Sequence, residues 1–351
     1  MLNHFASGTA PDGQPFQLTQ LRNAAGTELT LMDWGATWVS CQVALGNGAR
    51  REVLLGCATA ADYPQQGAYL GATVGRYANR IAHAHYLRDE KPVVLAPNQG
   101  EHQLHGGPQG FDKRRWQRVS HDGGQVTYRL FSADGDQGFP GNLDAEVCYR
   151  LTEDNRVEIS YLASTDKDCP INLTNHAYFN LDGDGATANA LAQTLQLFAD
   201  RYLPVDSEGI PCADLTPVEG SGMDFRQAKP LNRDLLKDRC QQRVKGYDHA
   251  YLLHTTCRQC EHPAAVLTSA DKKVTMDVFT DAPALQLYSG NFLAGTPDRK
   301  GGTYDNYAGV ALESEFLPDS PNHPEWPQPN CVIKAGGKYR SRTTYAFQVV
   351  S

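Results

Sequence analysis

The chain has 351 residues, a net charge of −8 and a sequence pI near 5.8. Its 21% charged and 40% apolar residues are ordinary for a globular protein, and its length suffices for a large core. The acidic balance, with KRR at 113–115 as an isolated basic cluster, argues against a nucleic-acid partner, and no stretch approaches the ~18 apolar residues needed to span a bilayer.

In chain order, the N-terminus lacks a basic start followed by an apolar run, so no signal peptide is expected. The first chemically suggestive segment is GATVGRYANRI, 71–81. Small residues there alternate with Arg76, Asn79 and Arg80. Its Gly spacing fits neither a phosphate-binding nor a dinucleotide loop. The arginines are open to two readings, structural ion pairs or ligand contacts. Residues 98–116 follow, with His102 and His105 three apart and Gly106, Gly107 and Pro108 predicting a turn straight after His105. That turn disfavours a helical metal site and suits a loop histidine aimed at a ligand.

Strand patterns at 126–132, 146–152 and 157–163 alternate apolar with polar residues, with turn residues between them. Residues 171–181, INLTNHAYFNL, are the most informative. At a period of two, Ile171, Leu173, Ala177, Phe179 and Leu181 share one side with Asn175. Asn172, Thr174, His176, Tyr178 and Asn180 share the other. An imidazole, a phenol, a hydroxyl and two amides suit hydrogen bonding to a polyhydroxylated ligand, and the imidazole adds proton transfer near neutral pH. An ordinary solvated strand face is the competing reading.

Strands are expected again at 195–199 and 273–280, and a short polar helix over 228–243. In GYDHAYLL, 246–253, Asp248 reads as an acceptor for sugar hydroxyls or as a turn residue. His254, Cys257, Cys260 and His262 have zinc-ligand types, but a structural zinc site has its second ligand pair some 12 or more residues away; a surface hairpin loop is the stronger reading. The nine cysteines are odd in number and scattered, unlike a disulfide framework, so a reducing cytoplasm is expected. On the probable strand at 309–319, Val310, Leu312 and Phe316 face one way and Ala311, Glu313 and Glu315 the other. A carboxylate in an apolar strand is costly unless it is paired or faces a cleft. Either a cleft or a solvent-facing edge accounts for Glu313, and with a histidine opposite it would make a general base and acid.

No strand–helix alternation appears, which argues against parallel α/β folds. The expected class is all-β, of sandwich type with many short antiparallel strands and few short helices. Residues 134–142 and 318–330 read as site-shaping loops rather than linkers, so one domain over 1–351 is expected.

Together, GRYANRI (75–81), HQLHGG (102–107), NLTNHAYFNLDG (172–183), KGYDHAYLL (245–253), LQLYSGNFL (285–293) and ALESEFLPDSPNHPEWP (311–327) resemble the aldose 1-epimerase (galactose mutarotase) family, in the family's order and across most of the chain. The resemblance implies a large antiparallel β-supersandwich. It implies interconversion of the α and β anomers of free aldohexoses such as D-galactose and D-glucose, without cofactor or metal. It makes Glu313 the catalytic base and His176 the acid, with His105 near the ring oxygen and anomeric centre. Asn79, Arg80, Tyr178, Asp248 and Gln286 would bind the sugar. The expected partner is a monosaccharide, with neither nucleic acid nor membrane, and the expected state a monomer or weak homodimer. A hexose-6-phosphate epimerase, which would need a basic pocket beyond Arg76, a two-carboxylate glycosidase using Asp248 and Glu313, and a non-catalytic sugar-binding module are the rival functions.

Overall fold

The computed structural model describes residues 5–46, 48–185 and 189–350. Alternating side chains dictate its largest element, a nine-stranded sheet. In sheet order its strands are Gln117–His121, Gln125–Ser132, Leu143–Leu151, Arg156–Thr165, Lys338–Val349, Val274–Thr280, Ala265–Thr268, Thr194–Leu197 and Lys229–Pro230. Every pairing is antiparallel. In Leu143–Leu151 and Arg156–Thr165 alternate residues are buried, so one face turns to the core and the other meets solvent.

A six-stranded sheet runs Tyr178–Phe179, Val310–Glu315, Ala284–Tyr288, Asp248–Leu252, Arg201–Tyr202, Thr216–Pro217. All six residues of Val310–Glu315 are buried, so this strand has no solvent face. It meets the large sheet where the Tyr345 hydroxyl donates to Leu312 O at 3.2 Å. A four-stranded N-terminal sheet adds Trp38, whose ring packs on Phe179 and Tyr345 at centroid distances of 5.9 and 5.6 Å. Three sheets thus share one core, and the architecture is the expected antiparallel supersandwich.

Three expectations need correction. Residues 171–181 do not form one strand: Thr174–Asn175 pairs with Thr73–Val74, while Tyr178–Phe179 joins the six-stranded sheet. Both of its faces are buried, so the solvated-face reading fails. Glu313 does not lie on a solvent-facing edge, because its strand is paired on both sides. The helix over 228–243 reduces to Arg239–Arg243, preceded by a short strand and a 3-10 turn at Leu231–Arg233. Pro230 and the polar composition explain this, since too little apolar surface is available to hold a longer helix.

Arg76 is buried and makes no ion pair among the described residues. Its guanidinium donates to Ser132 Oγ and to the carbonyls of Ser132, Ala133, Pro140 and Gly141, at 2.8–3.2 Å. It therefore ties the 134–142 loop to the core through backbone acceptors, which neither sequence reading anticipated. Arg76→Ala would strand those carbonyls without donors, and a stability loss of about 3 kcal/mol is expected by urea denaturation. An unchanged midpoint would refute that structural role.

Candidate active site

A cavity of about 550 Å³ opens beside the six-stranded sheet. All eight residues singled out from the sequence line it: Asn79, Arg80, His105, His176, Tyr178, Asp248, Gln286 and Glu313. The sheet register assembles half of them. Gln286 lies directly across from Glu313, and Asp248 across from Tyr288. The Gln286 side chain donates to Asp248 Oδ1 at 2.6 Å. Tyr178 pairs with Ala311, which brings His176, two residues earlier, against the same strand.

His176 Nε2 lies 3.6 Å from Glu313 Oε1, and the two side chains are only 6% and 3% exposed. Burial pushes the His176 imidazole down to about 4. It pushes Glu313 well above the usual carboxylate range, and the nearby Glu315 and Asp248 carboxyls add to that effect. Both shifts favour the uncharged forms, a carboxylic acid beside a neutral imidazole.

His105 is fixed from the opposite side. Its Nδ1 accepts the Asn79 backbone N–H at 3.1 Å, so its Nε2 carries the proton as a neutral donor. Burial also holds this imidazole well below its ordinary range, with His176 as the next contributor. Asn79 and His105 both have left-handed backbones, φ 62° and 51°, a conformation costing non-glycine residues on the order of 1 kcal/mol. Gly106 makes their approach possible. A Cβ there would sit 1.8 Å from the Gly75 carbonyl oxygen.

Several buried polar atoms of this cluster have no protein partner: His176 Nδ1, Gln286 Oε1 and Glu313 Oε2. Such atoms are costly unless a ligand or water completes them. The cavity thus offers a surplus of donors and acceptors with aromatic walls, which matches a polyol with an apolar ring face. Tyr69, Tyr288 and Phe292 supply walls that sequence reasoning missed. Tyr69 stacks on His176 at a 5.7 Å centroid distance and meets His105 edge-on at 4.6 Å. Tyr288 lay inside the LQLYSGN segment and so had a signal; Tyr69 and its loop had none.

His105, His176 and Glu313 have ligand atoms close enough to surround a cation. The Asn79 N–H at Nδ1 leaves His105 Nε2 protonated and without a lone pair to offer, so the geometry fits a hydrogen-bonding site better than a metal centre. The same logic applies to His83, Glu101 and His102, because His102 Nδ1 accepts the His83 N–H at 2.9 Å. The zinc reading at 254–262 loses its support: Cys257 donates to the Pro263 carbonyl, His254 pairs with Asp200, and no ligand group among the described residues contains the four.

A family model described as aldose 1-epimerase matches residues 17–346. The aldose 1-epimerase of Escherichia coli K12 is 55% identical over 347 residues, covering 99% of each chain. The pig (Sus scrofa) galactose mutarotase is 35% identical over 350 residues, covering 97% of each. Among solved structures, galactose 1-epimerase from Lactobacillus acidophilus NCFM superposes with a TM-score of 0.83 at 30% identity, covering 98% of both chains.

Proposed function

The chain belongs to the aldose 1-epimerase family, and on that premise we propose that Glu313 and His176 are the base and acid of its reaction. It is an isomerase acting on carbohydrates, with mutarotase activity on aldoses. D-galactose and D-glucose are the substrates we assign.

The observation that carries the proposal is the 3.6 Å His176–Glu313 contact at the wall of a cavity rich in polyol partners. Opening the hemiacetal removes the proton of the C1 hydroxyl, breaks C1–O5 and supplies a proton to O5. Glu313 takes the first proton and His176 Nε2–H gives the second. The working form is the ionised carboxylate beside the protonated imidazole. It holds the same number of protons as the uncharged pair, and the C1 hydroxyl donating to Glu313 and O5 accepting from His176 both favour it. Rotation about C1–C2 presents the other face of the carbonyl. On reclosure Glu313 returns its proton to the carbonyl oxygen and His176 recovers its own from O5. Each well-placed acid or base accelerates such a step typically ~10²–10⁴-fold. His105 Nε2–H and Arg80 stabilise charge developing on oxygen. Asn79, Asp248 and Gln286 hold the hydroxyls, and Tyr178 walls the pocket.

We take the chain as one domain that supplies all of these groups by itself, which supports a monomer or weak homodimer. All nine cysteines are free thiols, which supports a cytoplasmic site of action.

Polarimetry of freshly dissolved α-D-galactose, α-D-glucose and glucose 6-phosphate tests the reading. Acceleration of the free sugars is expected, with no preference for the phosphate, because Arg76 is enclosed and gives the pocket no second guanidinium. Faster mutarotation of the phosphate would favour the hexose-6-phosphate reading, and release of reducing sugar from a glycoside the hydrolase reading.

A further inference from the structure

Glu315 is a second carboxyl buried behind the first. It follows Glu313 by two residues on Val310–Glu315, so both side chains leave the same face of the strand. It does not line the cavity, yet it is 1% exposed and its Oε2 has no partner. Its Oε1 accepts one hydrogen bond, from Asn79 Nδ2 at 2.8 Å. The Asn79 amide cannot turn away, because its Oδ1 accepts the Arg80 backbone N–H at 2.9 Å. Its backbone N–H is committed to His105. One asparagine therefore joins the hidden carboxyl to two residues of the pocket.

Two buried carboxyls on one face of a strand, two residues apart, do not ionise independently, and between their two titration steps the pair carries a single negative charge. Each is raised by burial, and the Glu315 charge raises Glu313 further. The other groups facing them are Asp248 from the neighbouring strand, Arg80 as the cation acting on all three carboxyls, His176 beside Glu313, and the phenols of Tyr77, Tyr178, Tyr288, Tyr339 and Tyr345. None of these donates a hydrogen bond to either glutamate; the Asn79 amide does so to Glu315 alone. In the sugar-free protein the amide makes Glu315 the better home for the charge.

We propose that Glu315 is a positioning residue that competes with Glu313 for the one negative charge of the buried pair, so that Asn79 and Glu315 together govern when Glu313 is free to act as a base. The inference rests on the assignment of Glu313 as that base. Glu315 itself touches no substrate. When a sugar draws Glu313 into its anionic form, with its proton passing to His176, the new carboxylate forms against the Glu315 charge that the Asn79 amide holds.

The test is the pH profile of kcat/KM for Glu315→Gln, which keeps the shape and removes the competitor. Its acid limb, which reports the base in the free enzyme, is expected to move to lower pH by about one unit. A purely structural role would lower stability or rate and leave the limb in place, and that result would overturn the proposal. A second measurement stands alone if this variant does not fold. Infrared titration of glutamate-labelled Glu313→Gln should show the buried Glu315 carbonyl stretch disappearing at a lower pH than in the wild type. Identical titrations would also sink the idea. Retained mutarotation by Glu313→Gln would instead remove the base assignment, so the two failures are distinguishable.

Discussion

Replacing Glu313 by Gln is expected to lower kcat for galactose mutarotation about 10²–10⁴-fold, with a much smaller change in KM. The amide keeps the size of the side chain and can still bond a hydroxyl, but it cannot accept the C1 proton. The folded protein should not suffer. Burial raises Glu313 in the folded state, so the folded chain holds a proton that the unfolded chain releases near pH ~4.3. The stability this gives is full below that value and is lost as pH rises toward the folded one. Gln carries no such penalty, and thermal unfolding at pH 7–8 should find the variant at least as stable as the wild type. Lost activity together with retained or raised Tm separates a catalytic group from a structural one. A wild-type rate in the variant would exclude Glu313 as the base.

His176→Asn is the second large effect, again about 10²–10⁴-fold in kcat, because O5 would leave without its proton. Here the stability sign is opposite. An unfolded histidine titrates near ~6.5, whereas burial holds His176 at about 4. Below pH 6.5 the unfolded chain takes up a proton that the folded imidazole refuses, so stability is full above 6.5 and is lost as pH falls toward 4. Asn cannot be protonated there. The variant should lose less stability than the wild type between pH 6.5 and 4, as urea midpoints at pH 7 and pH 5 would show. His105 and His249 are lowered by burial too and remain in both proteins, so the difference between the two proteins is the quantity to read. Equal acid sensitivity would mean that His176 is not the desolvated group its position implies.

Both predictions rest on residues that the sequence already marks, and for a physical reason. Glu313 stands out because a carboxylate among apolar strand residues needs a purpose, and His176 because an uncharged polar face is a poor solvent face. Alternation at a period of two also marks the strands at 126–132, 146–152, 157–163 and 273–280, since one face of each packs on the core and the other meets water. The same logic fails for 171–181. There the chain is buried on every side and passes between two sheets, and a period-two pattern carries no information when both faces are covered. At 228–243 the short polar helix expected from the sequence shrinks to Arg239–Arg243, because a polar segment has little apolar surface to hold it.

Arg76 shows the limit of side-chain chemistry as a guide. Nothing in GRYANRI distinguishes it from Arg80, yet one guanidinium is enclosed by backbone carbonyls and the other reaches the pocket. That difference comes from the 134–142 loop, some 60 residues away in sequence, whose carbonyl directions are set only when it folds back on the core. Tyr69 and Glu315 belong to the same category. Their roles depend on what lies beside them rather than on what they are.

By itself, then, the order of residues determined the all-β class and the alternating strands of the large sheet, because both are properties of residue type and local spacing, while the eight groups that meet in the cavity were named together only by the motifs the chain shares with its family. The tertiary structure alone decided that His176 and Glu313 meet at 3.6 Å, that His105 presents Nε2–H, and that a second carboxyl lies behind the first. Those facts depend on register between strands distant in sequence and on the exclusion of water. Both are set only when the sheets close over one another, and it is that closure that pushes the imidazole down and the carboxyls up.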